Sequence, residues 1–454
     1  MRFFITAPRR FIGALLLSFT AFPLLAGVNF IPLASFDGIN GANPNALVQG
    51  TDGNFYGTSA NGGLYGKGTA FMMTTNGTLT NVVSFDGTNG ASPSGPLVQG
   101  LDGNFYGTAS MGGASNMGAI FRLTTNGTLF NLYSFTGPDG DTPTSGMLLS
   151  GDGNFYGTTY AGGDYEQGTF FQLTSDLTIN TFYSFDGTNG GLPYNGLVSG
   201  NDGNFYGATL GGSSNSFGNI YQMTPDGSLS NLVAFSTNVY PFAGLIQGID
   251  SNFYCASRFG GTGNNGTVFQ VTPAGVLNTL VYFNMTNGSQ PVGALLQGTN
   301  GNFYGSTYAG GASNQGTLFQ LGTNGNLVTL YSFSRTDGAC PTAALILGSD
   351  GYYYGTTTIG GTNGGSGTIF RFQVTAPPPP PPVFLSIAKS GGNVNFTWSA
   401  VVGQTYQVQY KSSLIQSNWN TLVTNFTATS SVVTNSDPIA PSTQRFYRVD
   451  LVLP

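Results

Sequence analysis

A seven-residue motif, D-G-N-F-Y-G-T, returns along this chain at a nearly fixed interval. Its tyrosine falls at Tyr56, Tyr106, Tyr156, Tyr206, Tyr254, Tyr304 and Tyr354, with spacings of 50, 50, 50, 48, 50 and 50 residues. Repeats of this period build solenoids, propellers or arrays, because one unit cannot bury its apolar face alone and stacks on the next. Each copy holds four short strand-like runs, which in the first are 46–50, 54–59, 69–74 and 79–85. Asp52-Gly53 joins the first pair and Asn76-Gly77 the second, and both dipeptides suit tight type I′ hairpin turns. The other two connections are longer: a Gly62-Gly63 loop between strands two and three, and a loop over 85–90 leading to the next copy. Four antiparallel strands per unit, repeated seven times, predict an all-β, seven-bladed β-propeller.

The two ends of the array sharpen this expectation. The last copy has strands at 344–348, 352–357 and 368–374 but no fourth. The fourth-strand pattern stands instead at 29–36, ahead of the first complete copy. The N-terminal strand is therefore expected to finish the seventh blade and close the ring without an unpaired edge. Side chains alternate along a strand, so Phe55 and Tyr56 face opposite sides of a blade. In a ring both sides are packed, and the seven aromatic pairs read as core.

Composition fits such a fold and excludes others. Glycine supplies 71 of 454 residues without a three-residue period, which excludes collagen. Aromatics at 13% are too many for a disordered chain. Histidine is absent, which removes the commonest general base and the commonest metal ligand. Residues 28–374 carry five cations and sixteen acids, and 375–454 carry four cations and two acids. No basic patch results, so neither nucleic acid nor an anionic membrane is an expected partner. Arg2, Arg9 and Arg10 precede an apolar stretch over 11–25, and Ala26-Gly27 offers a cleavage site. This is the pattern of a Sec-type signal peptide over 1–26, so a secreted or cell-surface bacterial protein is expected. No other segment is apolar and long enough to span a bilayer. Cys255 and Cys340 sit at different repeat positions, and no bridge between them is expected.

The succession D-G-N-F-Y-G-T, G-G, G-T-x-F and L-x-x-L-x-S-F over residues 29–374 resembles the GloVer (Gloeo/Verruco) tandem repeat of bacterial secreted and surface proteins. The resemblance implies a location and names no chemistry. The double glycine after strand two is also loosely similar to kelch blades. Beyond the repeats, Pro377–Pro382 predicts a stiff polyproline spacer of about 19 Å. Residues 383–454 alternate like strands at 394–398, 406–410 and 445–449, with Trp398 and Trp419 as expected core. This part resembles a small fibronectin type III-like β-sandwich. The expected organisation is a signal at 1–26, a propeller at 28–374, a linker at 375–382 and a sandwich at 383–454.

Catalytic chemistry has little to work with. A serine or cysteine nucleophile needs a base, and the repeats offer no histidine and a single lysine, Lys67. Asp52, Asp102, Asp152, Asp202, Asp250 and Asp350 occupy the first hairpin turn, and Asp37, Asp86 and Asp186 the loop between copies. Aspartate at such positions caps local backbone. Asp164 and Glu166 in one strand two–three loop are the exception, able in principle to serve acid–base work. The D-G-x-N-G loops offer oxygen ligands of the kind Ca²⁺ prefers. Each loop has one carboxylate, however, and Thr136, Ser236, Asn284 and Ser334 replace it elsewhere. No metal and no cofactor is expected. Both long connections emerge on one face, where loop tips vary on a repeated frame. Tyr65, Lys67, Asp164, Tyr165, Glu166 and Phe217 form the candidate ligand-binding set, the aromatics as platforms for sugar or protein. The leading reading is an exported monomer that binds polysaccharide or a cell-surface protein without catalysis. The alternatives are a glycan-active propeller enzyme using carboxylates and a structural surface-layer component.

Overall fold

A computed structural model describes residues 27–211, 217–235, 239–375, 381–413, 416–438 and 445–452. The expected export signal, Ser236 of a loop between copies and most of the proline run lie outside them. The fold is all-β. Val28–Val374 forms one compact unit and Thr375–Pro454 belongs to another.

Within the first unit the described residues form seven antiparallel sheets in a propeller-like series. In the first repeat the strands are Ala42–Pro44, Val48–Gln49, Phe55–Asn61, Thr69–Met73 and Leu79–Ser84. The expected first strand is thus shorter than its sequence run and is split. The run ahead of it, Ala42–Pro44, also pairs with strand two, residues 45–47 separate the two paired pieces, and Asn43 within the first piece adopts φ 56°. The N-terminal strand Gly27–Ser35 lies beside Thr368–Thr375, in the order expected from the divided repeat.

The hairpins differ from expectation in an informative way. The Gly53 N–H donates to Gly50 O at 2.9 Å, and the Gly50 N–H to Asn54 O at 2.8 Å. Only Gly53 is left-handed, at φ 84°. This is a three-residue loop closed by a glycine bulge, in place of the two-residue type I′ turn. The second hairpin repeats it, with Gly77 N–H on Thr74 O at 2.9 Å and φ 90°. The sequence dipeptide therefore marks the last turn residue and the bulge.

The conserved letters of the motif have separate mechanical roles. In the first repeat Asp52 accepts the Asn54 N–H at 3.1 Å and the Tyr56 hydroxyl at 2.8 Å. The Tyr56 ring then meets Phe105 of the next repeat at 4.2 Å between centroids. Equivalent pairs are Tyr106–Phe155, Tyr156–Phe205, Tyr206–Phe253, Tyr254–Phe303, Tyr304–Tyr353 and Tyr354–Phe55, all at 4.1–4.5 Å. Such pairs contribute roughly 0.5–1.5 kcal/mol each beyond their burial. Phe55 and Tyr56 are both buried, as their alternation requires. Gly57 makes room for the next strand: a Cβ there would stand 2.6 Å from Phe71 Cζ.

The second unit contains two three-stranded sheets. One joins Phe384–Ser390, Asn393–Ser399 and Val432–Pro438; the other joins Thr405–Lys411, Asn420–Thr427 and Phe446–Leu451. Phe396, Trp398, Tyr406 and Val408 are fully buried between them. Trp419 does not join this core. Its ring instead carries Lys411 Nζ at 4.8 Å and the Arg448 guanidinium at 4.6 Å. Asp437 is buried and hydrogen-bonded by Arg445 and by the Tyr447 hydroxyl.

Two predictions follow from the turn. In the fifth copy Ser251 takes the bulge position at φ 65°, where the first copy has Gly53 with open space around it. Left-handed backbone costs a non-glycine residue roughly 1–2 kcal/mol. Ser251→Gly is expected to stabilise the protein by about 0.5–1 kcal/mol after the entropy cost of glycine, and Gly53→Ser to destabilise it by a similar amount. Urea midpoints moving in the opposite directions would refute this account. The second prediction is pH dependence. Burial raises the Asp52, Asp102, Asp152, Asp202 and Asp250 carboxyls, but hydrogen bonds from asparagine, tyrosine and backbone outweigh it and hold them below their ordinary 3.8. Burial, then the aspartate, pushes Tyr56, Tyr206 and Tyr254 up to about 12. A depressed acid loses its contribution as pH falls below about 4, and a raised tyrosine loses its own as pH rises above about 10. Stability should be level between these limits and fall on both sides. Chemical denaturation across pH tests this, and a maximum below pH 4 would contradict it.

Candidate binding site

The repeated acids are occupied. The Asp52 arrangement recurs at Asp102, Asp152, Asp202, Asp250 and Asp350, each accepting the tyrosine hydroxyl of its own copy. In the sixth copy Asn300 donates to Tyr304 at 2.9 Å in the same place. Between copies, Asp37 Oδ1 accepts the N–H groups of Ile39 and Asn40, and Asp86 those of Thr88 and Asn89. No group of three or more acids, cysteines or histidines gathers among the described residues.

The long loops share a backbone frame. In five copies the second glycine of the pair donates to the loop before it, as in Gly63 to Gly38 O at 2.9 Å and Gly163 to Gly137 O at 2.9 Å. The first glycine is required by closeness, since a Cβ on Gly62 would stand 2.5 Å from Gly38 O. On this frame the six candidate residues part company. Tyr65 and Tyr165 are 56% and 59% exposed, as a contact platform requires. Lys67 is a fastener: its Nζ donates to Asp86 O at 2.9 Å and its carbonyl accepts the Ser92 N–H at 2.8 Å. Phe217 is half-buried against the core and meets Tyr240 edge-on at 6.2 Å, so it is not a free loop tip. Asp164 and Glu166 are exposed, and among the described residues no side chain pairs with either carboxylate. Glu166 stands at φ 58°. The same place holds Asn116, Asn264 and Asn314, whose side chains cap Gly112, Gly260 and Gly310. Glu166 gives up that cap while keeping the left-handed backbone.

A second set of residues was not singled out by the sequence. One position, four residues after the repeated tyrosine and shortly ahead of the double glycine, is half-buried in every copy: Ala60, Ser110, Tyr160, Leu210, Arg258, Tyr308 and Thr358. Arg258 is the sole cation in this column. Its guanidinium lies 5.2 Å from the Phe242 ring, 5.2 Å from Phe259 and 5.7 Å from Tyr308. Nε and Nη2 both reach Gln290 Oε1 at 3.3 Å. The aromatic surface continues from Phe242 to Tyr194 at 4.5 Å, and from Tyr194 to Tyr160 at 6.0 Å. Burial pushes the Tyr194 hydroxyl up against the opposing pull of Arg258. The charge of Cys340 and its hydrogen bond likewise raise Tyr308. Repeats three to six thus supply a half-buried cation framed by π faces. Aligning the repeats column by column and asking which half-buried position varies would have found it.

Comparison with known proteins agrees with this architecture. BP39L lectin from Burkholderia pseudomallei is similar at 13% identity, covering 75% of this chain and 97% of the lectin, with a TM-score of 0.52. A Bacteroides fragilis protein proposed to be a 6-phosphogluconolactonase is similar at 16% identity, covering 86% and 97%, with a TM-score of 0.45. At these identities the likeness concerns the fold alone. No curated protein matches the chain. The model of the Gloeobacter/Verrucomicrobia repeat matches residues 20–212, 100–248 and 194–379, so the chain belongs to the Gloeobacter/Verrucomicrobia repeat family.

Proposed function

We propose that this protein is an exported, non-enzymatic binding scaffold that recognises polysaccharide through the long-loop face of a closed seven-bladed propeller. The observation that carries the reading is the division of labour within the repeat. Acids and glycines are spent on turns in copy after copy, while the half-buried column from Ala60 to Arg258 and the exposed tips Tyr65 and Tyr165 vary on a repeated frame. Variable side chains on a rigid frame are how loops carry recognition. Aromatic rings with a polar edge, as at Tyr165 and in the Tyr160–Tyr194–Phe242 run, suit the mixed surface of a sugar. Blade count and closure are supported by the stacking of Phe55 on Tyr354, which links the first repeat to the last, and by Ser349 N–H donating to Gln49 Oε1 at 2.8 Å. We further read 1–26 as a cleaved export signal, 375–382 as a linker and 383–454 as a fibronectin type III-like module. No helix among the described residues is long and apolar enough to cross a membrane.

Retention of the full mature chain on a panel of immobilised polysaccharides tests this function, with release of reducing ends measured in parallel. Retention without release is expected, and Tyr165→Ala should weaken it severalfold while leaving stability within about 0.5 kcal/mol. Reducing ends abolished by Glu166→Gln would establish an enzyme instead. Failure to bind any glycan, with self-assembly into sheets, would favour the structural role.

A further inference from the structure

We propose that Arg258 and the aromatic rings around it form a binding site for a carboxylate-bearing sugar, a uronic acid unit within a sparsely charged polysaccharide. This rests on the glycan-binding reading and narrows it to a ligand class. Val28–Val374 carries sixteen acids, yet none of the described ones pairs with Arg258. The ion pair found in that unit joins Arg371 to Asp350. Nε and Nη2 of Arg258 share one neutral acceptor, Gln290 Oε1. A guanidinium presents five N–H donors, so the Nη1 edge retains donors for a further acceptor.

The surroundings decide between kinds of anion. Phe242, Phe259 and Tyr308 hold the guanidinium plane on several sides. An arginine fixed in this way loses little freedom when it grips a planar carboxylate through paired hydrogen bonds. The adjoining Tyr194 and Tyr160 rings extend an apolar surface with hydroxyl edges beside it. That combination fits a sugar ring carrying one carboxylate, whose C–H face stacks while its acid pairs. An extended acidic peptide would leave the aromatic surface unused. The field of the whole unit also opposes dense negative charge, since its net charge is −11. Heavily sulfated chains and polyglutamate are therefore poor ligands, and an isolated uronate is a good one. None of the other six residues at the matching place, Ala60, Ser110, Tyr160, Leu210, Tyr308 and Thr358, is a cation, so among the described repeats the site occurs once.

The test is calorimetric titration of the full mature chain with an otherwise neutral oligosaccharide carrying a single galacturonic acid unit and with its methyl ester of equal length. The acid is expected to bind about tenfold tighter than the ester, the size of effect a charge-assisted pair supplies. Arg258→Ala should abolish that difference without abolishing residual binding of the ester. Should Arg258→Ala fail to fold, Arg258→Lys serves: it keeps the charge but loses the fork, and should lower the acid preference severalfold. Equal affinity for acid and ester in the parent protein would overturn the inference, as would an acid preference that survives Arg258→Ala, or tighter binding of polyglutamate. If neutral glycans are retained with no preference for acid, this inference alone fails. If no glycan of either kind is retained, the proposed function fails with it.

Discussion

In each repeat the tyrosine ring lies 4.1–4.5 Å from an aromatic ring of the adjoining repeat, while its hydroxyl reaches back to the first turn of its own. Packing between sheets and conformation within a hairpin are therefore coupled through one side chain. Aspartate fixes the turn by accepting backbone N–H groups, and the turn fixes the aspartate where the hydroxyl can find it. The phenol needs a partner because its ring is buried and its oxygen half-enclosed. The sixth copy keeps the link with Asn300 in place of aspartate. That exchange shows that the hydrogen bond is the requirement and the charge is incidental.

Much of the architecture was legible because periodicity leaves little choice. The strand-like runs, the buried Phe–Tyr alternation and the placement of Gly27–Ser35 beside Thr368–Thr375 all follow from seven aligned copies and a divided repeat. What escaped was backbone detail. Asp-Gly and Asn-Gly announce a tight hairpin, but they do so whether the glycine is the second residue of a type I′ turn or a bulge after a type I turn. The split first strand escaped for a similar reason. Asn43, Ser92, Thr142, Leu192, Gln290 and Cys340 share a left-handed backbone at one repeat position, with φ of 49–58°. Their side chains have nothing in common. The conformation is imposed from outside, by N–H groups donating across to the preceding long loop, as Ser92 does to Lys67 O and Cys340 to Gln315 O. Tryptophan misled at Trp419 because size favours burial, whereas two cations over its face keep it at the surface.

The site was legible only in part. Exposure of Tyr65 and Tyr165 follows from their place at loop tips. Phe217 and Lys67 sit in comparable stretches, yet Phe217 packs on the core and Lys67, still exposed, is held by a carbonyl. Nothing local in the sequence separates these outcomes, because each depends on what the neighbouring repeat offers. The Arg258 surroundings are more extreme in this respect. Phe242 belongs to the fifth repeat with Arg258, Gln290 and Tyr308 belong to the sixth, and they meet only through packing between the two.

Repetition also supplies an internal control on what folding demands. A requirement of the fold acts on all copies alike, and the structure shows what such requirements look like: a very small residue beneath Phe71 and its equivalents, glycine in six copies and Cys255 in the fifth, and a hydrogen-bond partner for each tyrosine. The column running from Ala60 to Thr358 obeys no such rule. It is half-buried throughout and passes from alanine and serine, through tyrosine and leucine, to arginine and back to threonine. Small residues there are evidently sufficient for the fold. Arginine among three aromatic rings immobilises a long side chain that could stay solvated, and side-chain ordering of this kind costs about 1.5–2 kcal/mol. Three cation–π contacts at a site still open to water, at roughly 0.5–1 kcal/mol each, about offset that cost and leave little net gain. A difference among copies that the fold does not need, and from which it gains little net stability, is best explained by something outside the fold, which is where a ligand enters the argument.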